Sequence, residues 1–173
     1  MGRRTKSANT DASAAPGERA LACRRLVRRR ALKAAGVSAL PVLGADLAVN
    51  AHLLAQTINE INRVYGLSPA QVAALPAAQR SKVDEIARKV GSYLIGRVAT
   101  QAALLAALRA LGLRLGAQQA AKMAPVVGLA ASAALSGWLF MRLCDRHIAH
   151  CEQLRAALPA LPAPELVTVI DAA

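Results

Sequence analysis

The stretch MAPVVGLAASAALSGWLFM, from Met123 to Met141, runs for nineteen residues without a charge, between Lys122 and Arg142. At about 1.5 Å of rise per residue, a helix of that length matches a hydrocarbon core of roughly 30 Å. Its composition pulls the other way: Ala, Gly and Ser dominate, Pro125 stands near its start, and Leu, Phe and Trp are few. A buried helix in a bundle has the same composition. The run therefore predicts either a transmembrane helix or a bent hairpin that enters a bilayer partway, with Pro125 and Gly128 marking a turn and straight helix from Leu129 onward.

Working outward, the 173 residues are enough for one domain with a real core. Hydrophobic residues make up 55% and aromatics 2%, so Ala, Leu and Val must fill the interior. That favours close-packed helices over a β-sandwich, whose strands would want Ile, Thr, Tyr and Phe. The expected fold is all-α. Residues 1–18 read as a disordered tail, 19–158 as a helical hairpin domain, and 159–173, with Pro159, Pro162 and Pro164, as a Pro-rich C-terminal tail.

Punctuation places the elements. A helix begins near Glu18 and runs through the basic cluster toward Leu40, where Pro41 and Gly44 predict a bend. A second spans Ala45 to Val64 and ends at Gly66, suited to a left-handed cap. Ser68 and Pro69 start a short helix as N-cap and first residue, and it stops near Pro76. A polar helix from Ala77 to Lys89 leads into an apolar stretch from Val90 to Leu111, and the last helix continues to about Leu158. Pro41-Val-Leu-Gly44 and Pro125-Val-Val-Gly128 form a weak repeat, which suggests two halves of Pro/Gly-bent hairpins; chance recurrence of a four-residue pattern is the alternative.

The net charge of +12 is uneven: residues 1–33 alone carry a balance of +8. Arg24, Arg25, Arg28, Arg29, Arg30 and Lys33 stand just before an apolar segment, which predicts membrane or partner contact with this end on the cytoplasmic side. Gripping nucleic acid phosphates is the competing reading, disfavoured because no aromatic residues interleave for base stacking. A solvated tail is the third. Arg28 and Arg29, followed by Leu32-Lys33 and small residues, also have the look of a twin-arginine export signal, although the helical pattern continues past Asp46 with no cleavage region.

The segment Lys33-Ala-Ala-Gly-Val-Ser-Ala-Leu-Pro-Val-Leu-Gly-Ala-Asp46, then a helix rich in Leu and Gln, then Val64-Tyr-Gly-Leu67, resembles an uncharacterised bacterial helical domain. That domain is found in YcjF-type membrane proteins and appended to Era-like GTPases. Lys122-Met-Ala-Pro-Val-Val-Gly128 is similar to its second bent hairpin. The resemblance covers about Leu32 to His147 and implies the bacterial inner membrane, a scaffold or accessory role, and a separate GTPase as partner, since this chain holds no G domain. It implies no catalytic residues.

Two constellations could carry chemistry. Cys144, His147 and Cys151 fall at i, i+3 and i+7 on one helix, and thiolate plus imidazole suits zinc, although three ligands spread along about 10 Å of axis need a fourth from elsewhere. A polar helix end whose cysteines pack as small hydrophobes is the competing reading. On the second helix, Asp46, Asn50 and Thr57 share a face with Asn59 and Glu60 nearby, and Arg97 is the expected charge partner for Asp46. No phosphate loop, His-Glu-x2-His, Gly-x-Ser-x-Gly or dinucleotide fingerprint occurs. The expected protein is non-catalytic and without cofactor, bound to a lipid bilayer, with homo-oligomers allowed. The alternative is a soluble, cytoplasmic bundle whose basic N-terminal segment binds nucleic acid or an acidic partner.

Overall fold

The computed structural model describes residues 16–38, 45–92, 94–106, 125–158 and 161. Five helices order it: α1 (Pro16–Ser38), α2 (Ala45–Val64), α3 (Pro69–Ala73), α4 (Ala77–Lys89) and α5 (Pro125–Ala157), with a helical turn at 101–106. No strand occurs among the described residues, so the all-α expectation holds.

Pro16 and Pro125 open their helices where a missing N–H costs nothing, and Glu18 sits in the first turn of α1, where the helix dipole favours an acid. Spacing of three and four then lays an apolar stripe on each long helix. On α1 it is Ala20, Cys23, Val27, Ala31 and Ala34; on α2, Ala51, Leu54, Ala55, Ile58 and Ile61; on α5, Phe140, Cys144, Ile148, Cys151 and Leu154. These stripes meet in a three-helix core in which α1 packs against both others. Small residues set the closest approach: a Cβ built on Gly137 would stand 3.4 Å from Ala35 Cβ and 3.6 Å from the Ala31 carbonyl. The two backbones therefore run past each other with no side chain between them at that point.

Two helices end the same way. Gly66 has φ 70°, its N–H bonds the Arg63 carbonyl, and the Leu67 N–H bonds the Asn62 carbonyl at 2.7 Å. Gly91 has φ 71°, with Gly91 N–H on Arg88 and Ser92 N–H on Ala87. Both are paired-bond caps that need a left-handed residue. Between α2 and α4, Ser68 caps α3 reciprocally: its hydroxyl takes the Gln71 N–H and the Gln71 side chain takes the Ser68 N–H. The expected limits of α2, α3 and α4 hold.

The apolar stretch after Lys89 does not continue as helix. The described residues between 90 and 99 turn through Gly91 and Gly96, both at positive φ, before helix resumes at 101–106. Asparagines of α2 hold this loop: Asn62 Nδ2 donates to the Leu94 carbonyl at 2.9 Å, and Asn59 brackets Ala99, donating to its carbonyl and accepting its N–H. The two amides replace bonds that a continuous helix would have made internally.

The expected transmembrane helix is not met. Among the described residues no helix is long and apolar enough to cross a membrane. Most of the opening run lies in α5, and the same helix continues into Arg142, Asp145 and Arg146. Pro125 is the first residue of that helix and Gly128 lies in its first turn. Pro41 and Gly44 lie outside the described residues, as does most of each tail.

Candidate functional site

The proposed metal ligands come together, but around an amide. Cys144, His147 and Cys151 are all buried on the inner face of α5. His147 Nε2 lies 2.8 Å from Asn62 Oδ1, with Cys151 Sγ 3.7 Å from the same nitrogen and 3.9 Å from the same oxygen. Because Asn62 commits its Nδ2 to the Leu94 carbonyl, Oδ1 must accept, so the imidazole carries its proton on Nε2 and donates. That nitrogen has no lone pair left for a metal. Burial pushes the Cys144 thiol up to about 12 and holds Cys151 well above the usual thiol range, so neither is a thiolate at neutral pH. Burial, assisted by His150, pushes His147 down to about 4. Among the described residues no group of three or more His, Cys, Asp or Glu side chains is placed to hold a metal ion. The cluster is a neutral, hydrogen-bonded plug that ties α2, α5 and the 90–99 loop together.

The basic cluster divides. Arg24, Arg25, Arg28, Arg29 and Lys33 are exposed, whereas Arg30 turns inward with its side chain only 11% exposed. Arg30 Nη2 pairs with Glu60 at 2.6 Å and Nη1 donates to Thr57 Oγ1 at 3.2 Å; the Thr57 hydroxyl then donates to the Leu53 carbonyl. Arg30 thus belongs to the α1–α2 contact and not to the exposed basic face. It also answers the polar face of α2: Thr57 and Glu60 pair with Arg30, while Arg97 is exposed. His52 is exposed, and the side chain of Asp46 lies outside the described residues.

Outside, the arginines of α1 meet α5. A groove of about 270 Å³ is lined by Arg24, Val27, Arg28, Trp138, Met141, Arg142 and Asp145. Trp138, the only tryptophan of the chain, is 56% exposed, and Leu135 one turn before it is similarly open. On α1, Leu21 and Leu32 are eleven residues apart, about three turns, so they share a face. Arg25 and Arg28 lie between them, and Leu32 is 75% exposed. The surface is therefore guanidinium groups interleaved with exposed Leu and one indole. No aromatic stands near the arginines along the chain; packing of α5 on α1 supplies one from more than a hundred residues away.

Comparison with known proteins finds no matching family model, no matching curated protein and no matching solved structure.

Proposed function

We propose that this chain is a non-catalytic helical module that docks on an anionic lipid surface through the outer face of α1 and the adjoining part of α5, without spanning the bilayer. The observation that carries the reading is the mixture on that face: Arg24, Arg25, Arg28 and Arg29 beside exposed Leu21, Leu32, Leu135 and Trp138. A basic residue near an anionic membrane contributes about 1 kcal/mol, and indole and leucine side chains settle at the headgroup boundary. Asp145 in the groove opposes this field only locally. Nucleic acid phosphates would use the arginines equally well. They leave the exposed leucines without a role, and among the described residues Trp138 is the one exposed aromatic, a poor stacking platform, because Tyr65 and Phe140 are buried.

Co-sedimentation tests it. Binding is expected to vesicles containing phosphatidylserine and not to phosphatidylcholine alone, weakening as salt rises, and falling at least tenfold in the Arg24→Ser, Arg28→Ser double variant. Retention of an RNA oligomer at low salt with no vesicle binding would transfer the surface to the nucleic acid reading.

A further inference from the structure

Arg19 does not belong to the basic face. It lies nine residues before Arg28, about 180° around the helix at 100° per residue, and so points into the bundle. It is 8% exposed, and its Nε has no hydrogen-bond partner among the described residues. Beside it Tyr65 is 1% exposed, and its hydroxyl too is without a partner there. Both line a cavity of about 110 Å³ with Glu152, Arg155 and Ala156. Arg155 is fixed on the wall by its Nη1, which donates to the Tyr65 carbonyl at 2.7 Å.

The chemistry of this wall is selective. A buried guanidinium N–H and a buried phenol O–H both call for an acceptor, and leaving them unmet costs about 1–3 kcal/mol each. Burial, followed by the charge of Arg19, holds the Arg155 guanidinium below its usual range, which marks two cations facing one space. Burial keeps the Tyr65 phenol protonated and available as a donor. The volume is a few waters' share of liquid and well below the roughly 300 Å³ of an organic-ligand pocket. A small oxyanion fits that space and that charge. Glu152 adds a discriminating group: its carboxylate repels a fully ionised anion but accepts a hydrogen bond from one that keeps a proton.

We propose that the cavity between the start of α1 and the end of α5 binds a protonated phosphate group, held by Arg19 and Tyr65 under the field of Arg155 and selected over sulfate by Glu152. Phosphate at neutral pH keeps a proton for Glu152, and sulfate does not. The site is separate from the lipid-docking face and does not depend on it.

Titration of the whole chain with sodium phosphate, sodium sulfate and glycerol phosphate, followed by the Arg19 Nε–Hε NMR signal and by calorimetry, tests the assignment. Phosphate is expected to move that signal and to bind about tenfold more tightly than sulfate, the difference of one charge-assisted hydrogen bond. Tighter binding of glycerol phosphate than of phosphate assigns the site to a phosphomonoester end, and the reverse order assigns it to the free ion. Arg19→Lys, which keeps the charge and loses the planar donor, should weaken phosphate about tenfold while circular dichroism stays helical. Glu152→Gln should narrow the phosphate-to-sulfate ratio toward one. An unmoved Arg19 signal in phosphate, equal affinity for sulfate, or unchanged phosphate affinity in Arg19→Lys would each overturn it.

Discussion

Arg30 and Arg28 are two residues apart on α1 and end in opposite places. Arg30 reaches across to Glu60 and Thr57 and helps to close the bundle, whereas Arg28 lines an open groove with Trp138. The same contrast runs through the molecule. Inside, Asn62 with His147 and Asn59 with Ala99 are matched by geometry, and the Arg19 Nε and the Tyr65 hydroxyl beside the small cavity are exceptions. Outside, Arg24, Arg25, Arg28 and Arg29 stand exposed beside exposed leucines. Matched polar groups inside give a unique packing of α2, α5 and the loop after α4; the exposed arginines of α1 give a surface that can attract a partner.

That contrast predicts its own failure points. The largest effect is expected from acid. His147 is neutral and buried, with its proton affinity pushed from 6.5 down to about 4, so the unfolded chain binds the proton more readily than the folded one. Its contribution to stability is whole above pH 6.5 and is lost as pH falls toward 4, at up to about 1.4 kcal/mol per pH unit and roughly 3 kcal/mol across the window. Urea unfolding between pH 7 and pH 4 measures this. His147→Gln should flatten the slope, and an equal slope in both proteins would remove His147 from the account.

Next comes the arginine pair. Arg30→Ala should destabilise by about 2–3 kcal/mol, because it leaves Glu60 and Thr57 without their cation, and Arg28→Ala should stay within about 0.5 kcal/mol of the parent in the same denaturation experiment. Similar losses from both would erase the inside-outside division. Smallest is Gly91→Ala. A Cβ there meets nothing within 4 Å, so only the left-handed backbone is penalised, and thermal melting should report about 1 kcal/mol.

The sequence spoke most clearly where a single residue type decides the local backbone. Gly66, Ser68 and Pro69 mark their turns by chemistry that needs no tertiary contact, and they stand in the structure as expected. Gly91 carries the same signal in the same kind of cap, but it stands within an apolar stretch that the sequence does not divide. What holds the chain in a loop there is Asn59 and Asn62, some thirty to forty residues earlier, and distance in sequence hides that. Asn62 is also the residue that reading by metal-ligand spacing missed. A polar amide one turn before the glycine that ends α2 was the available signal, since a helix end brings its side chains to a loop. Arg30 looked like its neighbours because charge alone does not tell inward from outward; its place at the edge of the apolar stripe, next to Ala31 and Ala34, was the clue. Trp138 could be joined to the arginines only by folding.

The lone tryptophan makes the docking face directly observable. Trp138 emission should shift to the blue and become protected from iodide when phosphatidylserine vesicles are added, with no change on adding phosphatidylcholine vesicles or on adding the anionic vesicles in high salt. An indole that keeps its emission and its iodide quenching in the presence of saturating anionic vesicles would contradict the account.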